Sequence, residues 1–109
     1  MSGTQLSATK TFTVAHTAAN GSAALNAEVA TFDAGSGLLF VAGGGGIDAI
    51  DPATGAILAT LSTTSYGFVN SVAAHDGVVA IAIESVPKTE PGKVIVLDVA
   101  RSGDTVTLT

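Results

Sequence analysis

Short apolar runs separated by turn-forming residues make up most of this chain. Between Glu28 and Leu61 there are four such runs, and Gly, Asp, Ser or Pro stands between successive runs. Short apolar runs bounded in this way are typical of β-strands, because amphipathic helices are longer and space their apolar residues three or four positions apart. The pattern predicts strands at 28–32, 38–42, 47–50 and 56–61.

A second copy of this pattern begins near Val69. Asp33 in the first copy corresponds to Asp76 in the second, 43 residues later, and Gly55 corresponds to Gly103, 48 residues later. Four strands repeated at a period of about 40 to 50 residues are typical of β-propeller blades. The strands predicted for the second copy are 70–75, 78–83, 94–97 and 105–108, with a two-residue hairpin turn at Asp76-Gly77 and a turn at 98–104.

We therefore predict an all-β fold of two four-stranded antiparallel β-propeller blades, with blade 1 at residues 28–61 and blade 2 at residues 69–109. The alternative is a plain β-sandwich in which the similarity of the two copies is a coincidence. Ahead of blade 1, residues 10–16 alternate in period two, which predicts one extra N-terminal strand that forms the outer strand of a neighbouring blade. Residues 1–9 are small and polar and predict a flexible tail.

Two blades do not close a propeller, since the ring needs about four to eight of them. A pair of blades alone leaves apolar sheet faces in water, and soluble monomers avoid large exposed apolar patches. We therefore expect the ring to be completed only with other chains or with blades that this chain lacks. The expected partners are copies of the chain, packed blade to blade as a homo-oligomer, or other propeller blades.

Charge and composition exclude several classes of function. The net charge is −5, and the chain has only four Lys and Arg residues, so binding to nucleic acid or to an anionic membrane is not expected. No apolar run reaches the roughly 20 residues of a membrane span, so no membrane insertion is expected. The N-terminal ten residues have no apolar segment, so we expect no signal peptide within this chain. The absence of Cys excludes disulfides and thiolate sites, and it fits an exported bacterial protein.

Three segments carry a family resemblance. NAEVATFDAGSGLLFVAG, GFVNSVAAHDGVVAIAIE and VPKTEPGKVIVLD resemble the N-terminal blades of bacterial choice-of-anchor I propellers, which are related to esterase-like and phytase-like exported proteins. The DPATG turn also resembles the repeats of surface-layer and lactonase-like propellers. The resemblance covers roughly residues 27–98 and implies an extracellular or cell-surface protein with a seven- or eight-bladed propeller. It implies no settled activity.

The longer loops point to a candidate ligand site. When the four strands of a blade are labelled A to D in chain order, the A–B and C–D turns lie at one end of the sheet, and the B–C and D–A connections lie at the other. The B–C and D–A connections are the longer ones here, and long loops often carry function. A channel mouth lined with carboxylates could hold calcium, although no cofactor is required. The alternative is that the glutamates pair with lysines or backbone amides. The candidate residues at this end are Glu28, Asn70, Glu84 and Lys88.

Other polar residues favour structural interpretations. Ser71 and His75 lie four residues apart on one predicted strand, too far for a catalytic hydrogen bond. We expect His75 to pack, because it aligns with Phe32 of the first copy. The run 43–46 lacks the spacing of a phosphate-binding motif, and it predicts a loop that needs positive φ or a close backbone approach.

Turn aspartates and two aromatic residues have structural interpretations as well. The aspartates recur at equivalent turns, where their side chains are expected to cap the backbone. Tyr66 and Phe68 could form a ligand platform, but we expect them to cover a blade junction. The recurring aspartates are Asp33, Asp51, Asp76 and Asp98.

The function that the sequence favours is a structural or interaction module without catalysis of its own. It either self-assembles or forms part of a larger exported propeller. The alternative is a fragment of a metal-dependent esterase-like or phosphatase-like propeller enzyme, with its site in the central channel. A lectin-like binding ring is a third, weaker hypothesis.

Overall fold

Two four-stranded antiparallel sheets form the described part of the chain. The computed structural model describes residues 29–85 and 89–109, and within them all regular structure is β-strand. No helix there is long and apolar enough to cross a membrane. Sheet 1 consists of β1 (Val29–Asp33), β2 (Leu38–Gly43), β3 (Gly46–Ile50) and β4 (Ile57–Ser62). Sheet 2 consists of β5 (Phe68–His75), β6 (Val78–Glu84), β7 (Lys93–Ser102) and β8 (Thr105–Leu108).

The all-β prediction is confirmed, and each strand predicted in the two copies is present, most of them with shifted ends. The largest difference is in β7, which extends to Ser102, so the predicted turn at 98–104 shrinks to Gly103-Asp104. The strand continues because its first half pairs with β6 and its second half pairs with β8. The predicted tail and extra strand at residues 1–16 lie outside the described residues.

The hydrophobic core lies between the two sheets, which are stacked in the same orientation. The strands β1 and β2 lie against β5, and β4 lies against β8. Because side chains alternate between the two faces of a strand, every second residue of each central strand enters this core. The fully or nearly fully buried apolar residues are Leu38, Phe40, Ala42, Ile47 and Ala49 of sheet 1 and Val69, Val72, Val79, Ile81 and Ile83 of sheet 2.

Two-residue hairpins connect several strands, and the local sequence explains them. Asp76 and Gly77 have φ values of 50° and 81°, the positive pair that a type I′ turn requires, so the predicted hairpin is confirmed. Type I′ turns match the right-handed twist of the flanking strands. The β7–β8 hairpin places Gly103 at φ 60° in the first loop position. Both hairpins lie at the same end of sheet 2 and keep the connections at that end short.

Candidate functional site

The two ends of the sheets differ in their loops. We call the end with the A–B turns (34–37 and 76–77) and the C–D turns (51–56 and 103–104) the turn end. The opposite end carries the β2–β3, β4–β5 and β6–β7 connections, and we call it the connector end. Two of the residues that the sequence singled out for ligand binding, Asn70 and Glu84, are described by the structure, and both belong to the connector end.

The structure describes two of the four predicted channel-mouth residues and places them on neighbouring strands. Asn70 is exposed and sits at the register shift between β5 and β6, and Glu84 is the last residue of β6 and half-buried. Both therefore lie at the connector end of sheet 2. Glu28 and Lys88 lie outside the described residues. Within residues 29–85 and 89–109, no group of three His, Asp or Glu side chains is arranged to hold a metal ion.

The glycine-rich segment is a tight hairpin rather than a long loop. Gly43 pairs with Gly46, which leaves only Gly44 and Gly45 in the turn, and Gly44 has a φ of 54° as the sequence predicted. The carbonyl of Gly45 accepts a hydrogen bond from the Thr63 amide at 2.7 Å, and the carbonyl of Gly44 accepts one from the Val69 amide at 2.9 Å. The segment thus holds the β4–β5 connection in place, and its role is structural.

That connection presents two aromatic side chains to solvent. The Thr63 carbonyl accepts hydrogen bonds from the amides of Tyr66 and Gly67 at 2.8 and 2.9 Å, which closes a compact turn. Tyr66 is 51% exposed and Phe68 is 53% exposed, so the expectation that they cover a junction is wrong for the described residues. A shallow groove of about 470 Å³ lies between Tyr66 and the segment 90–93.

A buried carboxylate joins the two sheets at the turn end. Asp33 is 1% exposed, and its carboxylate accepts hydrogen bonds from the Ser36 hydroxyl at 2.7 Å, the Ser36 amide at 3.1 Å and the Gly77 amide at 3.1 Å. Burial by itself raises the pKa of this carboxyl. The bonds from Ser36, Gly77 and Gly35 outweigh that effect, so the pKa of Asp33 lies below its ordinary value.

The other turn aspartates act in different ways. Asp51 caps its own turn, because its carboxylate accepts a hydrogen bond from the Ala53 amide at 2.9 Å. Asp76 contributes the positive φ of the hairpin, and Asp98 exchanges two backbone hydrogen bonds with Thr109, both at 3.0 Å. The capping prediction is therefore confirmed at Asp33 and Asp51.

Arg101 is the second connection between the sheets, and the sequence analysis missed it. From β7, its guanidinium donates to the carbonyls of Ser36 and Gly37 at 3.0 and 3.2 Å and to the Asp51 carboxylate at 3.1 Å. One side chain of sheet 2 thus holds both turns of sheet 1. A signal was present, because Arg101 is the sole arginine of the chain and continues the inward alternation of Leu97 and Val99.

Sheet 2 has an outer face, turned away from sheet 1, that is apolar and open. Val78, Val94 and Val96 on this face are 39%, 67% and 62% exposed. His75 is also exposed there, so the expectation that it packs is wrong within this chain. A shallow hollow of about 180 Å³ opens on the same face. The outer face consists of Ser71, Ala73 and His75 of β5, Val78, Ala80 and Ala82 of β6, and Val94 and Val96 of β7.

Comparison with known proteins identifies the family of this chain. No curated protein and no solved structure matched the chain. The model of the choice-of-anchor I domain matches residues 28–109, which include both sheets and most of the chain. The match agrees with the resemblance that the sequence analysis found in three segments of the chain. The chain therefore belongs to the choice-of-anchor I domain family.

Proposed function

We propose that the chain is a non-catalytic docking module of two propeller blades, in which the outer face of sheet 2 binds another blade. That blade comes from a second copy of the chain or from further blades of a larger propeller. In this arrangement the domain builds a propeller rather than carrying out chemistry.

A comparison of equivalent positions in the two sheets supports the proposal. The two sheets repeat the same strand order in the same orientation, so each position of sheet 1 has an equivalent in sheet 2. Ile47 and Ala49 face sheet 2 and are both 0% exposed, whereas their equivalents Val94 and Val96 are 67% and 62% exposed. The outer face of sheet 2 is thus equivalent to the face of sheet 1 that sheet 2 covers.

The energetics favour covering this face. Removing the side chain of a valine from water is worth roughly 1.5–3 kcal/mol when it becomes fully buried. A face with three exposed valines and several alanines therefore gains stability from a partner sheet. The family name suggests anchoring, and we infer that the assembled domain works at the cell surface or outside the cell.

Solution mass tests the proposal. We expect the wild-type chain to form a discrete oligomer in light scattering coupled to size-exclusion chromatography. The double variant V94D/V96D places two charges on the outer face and should be a folded monomer. The control A53D/A56D adds the same charges to an exposed turn of sheet 1 and should keep the wild-type mass. A wild-type monomer at all concentrations would instead support the sandwich alternative.

Calcium binding in a channel mouth stays a second prediction. The positions of Asn70 and Glu84 at one end of sheet 2 favour it. If calcium binds there, thermal stability should rise on adding calcium and fall with a chelator, and Glu84→Gln or Glu28→Gln should abolish the response. A melting temperature that ignores both calcium and chelator would favour the docking module alone.

A further inference from the structure

The face of sheet 1 that points away from sheet 2 has its own pattern of burial. Its residues alternate along each strand with those that enter the core, because successive side chains of a strand point to opposite faces. We call it the far face. It consists of Ala30 and Phe32 of β1, Leu39 and Val41 of β2, Asp48 and Ile50 of β3, and Thr60 of β4.

Burial on the far face is greatest at β3 and falls off on both sides. Asp48 and Ile50 of β3 are only 0% and 3% exposed. Val41 of the neighbouring β2 is half-buried. Phe32 of β1 is 54% exposed, and Thr60 of β4 is exposed as well. A strip about one strand wide is therefore shielded from water, with exposed residues on either side of it.

The strip is more deeply buried than an open sheet face allows. Ala80 and Ala82 on the outer face of sheet 2 have a strand on each side, and they remain partly exposed although alanine has a small side chain. Asp48 also has a strand on each side and carries a larger side chain, yet none of its surface is accessible. Protein atoms therefore cover the far face at Asp48.

The cover does not come from the described sheets. Within residues 29–85 and 89–109, the sheet stacked on sheet 1 is sheet 2, and it lies on the opposite side. Residues 86–88 connect two strands of sheet 2, and three residues span at most about 10 Å. The far face is more than one sheet spacing of about 10 Å away from them. The part of the chain that remains is residues 1–28.

One stretch of that part has the composition of a covering strand. In residues 10–16, Lys10, Phe12, Val14 and His16 alternate with Thr11, Thr13 and Ala15, so that one side of an extended segment carries two large apolar side chains. The twelve residues 17–28 that follow can span about 40 Å. The buried strip is two strands away from β1, which is a distance of about 10 Å. The segment can therefore reach the strip.

The same side of the segment suits a buried carboxylate. The carboxylate of Asp48 accepts a hydrogen bond from the Thr60 hydroxyl at 2.7 Å. A buried charge is costly unless polar or oppositely charged groups accompany it. Lys10 lies on the side of the segment that carries Phe12 and Val14, so this side combines a cation with apolar side chains. The strip has the matching combination, a carboxylate beside apolar residues.

We propose that residues 10–16 lie as an extended segment along β3 on the far face of sheet 1, with Phe12 and Val14 turned towards the strip. The contact is made within one chain, so it does not depend on the proposed docking function. It makes the two ends of the module unequal. Sheet 2 offers its whole outer face to a partner, whereas sheet 1 offers only the margins around Phe32 and Thr60.

Thiol labelling tests this contact, because the chain has no Cys and an introduced thiol is unique. In the full chain carrying Ile50→Cys, the labelling rate should rise about tenfold or more when F12D/V14D is added, since buried charges release the segment. The matched control T11D/T13D adds the same charges to the other side of the segment and should change the rate less than about twofold. Ile81→Cys, placed between the two sheets, should stay protected in every background.

Two results would overturn the inference. One is an Ile50→Cys thiol that is labelled rapidly in the otherwise unchanged chain, and the other is a slow rate that F12D/V14D does not raise. If F12D/V14D also exposes Ile81→Cys, the variant unfolds, and a spin label then decides the question.

The spin label is attached through Ala15→Cys in an otherwise wild-type chain. It should broaden the amide resonances of Asp48 and Ile50 more than those of Val94 and Val96, because the latter lie on the opposite side of the module. Equal broadening at the two places, or the reverse order, would show that the segment does not cover the far face. The oligomeric mass of V94D/V96D does not enter this test, so the docking function and the covering segment fail separately.

Discussion

The carboxylate of Asp33 in sheet 1 accepts a hydrogen bond from the backbone amide of Gly77 in sheet 2 at 3.1 Å. This bond joins the first hairpin turns of the two sheets. The turns approach so closely that a Cβ added to Gly35 would lie 3.1 Å from the Cα of Asp76. The contact therefore depends on the glycine at position 35 and on the acceptor Asp33, both in the first hairpin of sheet 1.

Removal of this acceptor should destabilise the chain. Asp33→Ala leaves the amides of Ser36 and Gly77 without their acceptor in a buried place, and an unsatisfied buried donor costs about 1–3 kcal/mol. We expect chemical denaturation to show a free energy of unfolding lower by about that amount. Asp104→Ala, in the exposed β7–β8 hairpin, is the control and should change stability by less than about 0.5 kcal/mol. Equal effects of both substitutions would contradict the assigned role of Asp33.

Asp33 should also make stability depend on pH. Its pKa is lower in the folded state than in the unfolded chain, so folding favours the charged carboxylate. This contribution is present above the unfolded pKa of about 4 and is lost as the pH falls through the lower, folded value. When melting temperatures are measured from pH 6 downward, the melting temperature should decrease once the pH is below about 4. In Asp33→Asn this part of the decline should be absent, and a decline of unchanged size would show that another group causes it.

Arg101 should stabilise the folded chain through the geometry of its guanidinium as well as through its charge. Arg101→Met removes the bonds to Ser36 and Gly37 and the ion pair with Asp51, and we expect a loss of about 1–2 kcal/mol in the free energy of unfolding. Arg101→Lys should recover less than half, because an ammonium cannot reach two turns at once. Lys93→Met is the control, because Lys93 is a cation of the same strand that is exposed, whereas Arg101 is partly buried.

A double-mutant cycle refines this prediction. The effects of Arg101→Met and Asp51→Asn should be less than additive, since the two residues share one contact. Strictly additive losses would mean that the ion pair contributes nothing and that Arg101 acts through the carbonyls alone.

Gly67 should tolerate substitution less well than Gly103. Its φ is 141°, and an added Cβ would clash with the carbonyl oxygen of Glu84. We expect Gly67→Ala to cost more than about 2 kcal/mol, because both backbone strain and a steric conflict oppose it. Gly103→Ala is the matched control. Gly103 also has a positive φ, 60°, but nothing lies within 4 Å of an added Cβ, so the cost should be about 1 kcal/mol.

The alternation of residues along the chain was enough to predict the strands. The inward residues of β6, Val79, Ile81 and Ile83, alternate with Ala80 and Ala82, and this period of two allows no helix. The Asp76-Gly77 hairpin was also predictable, since positive φ at both loop positions is a local property of these residues. Strand order followed from the short loops.

The faces of the strands were decided by hairpin length, which the repeat alignment did not capture. The alignment matched His75 with Phe32, but the first hairpin has four loop residues in sheet 1 and two in sheet 2. Pairing therefore matches Phe32 with Ala74 instead. A shift of one residue turns a side chain to the other face of a strand, so His75 is exposed on the outer face rather than packed as expected.

The sequence by itself determined the local structure: an all-β chain, its turns and its two repeated units. Only the tertiary structure decided which residues join the sheets, because Arg101 and Asp51 are 50 residues apart and nothing local marks them as partners. It also decided which apolar residues remain open. Ile47 and Val94 occupy equivalent positions in their sheets. Their exposure differs because Ile47 lies under a second sheet and Val94 does not. The burial of a residue depends on whether another sheet is stacked on its face. The pattern of residues shows only that the face is apolar, and not whether it is covered.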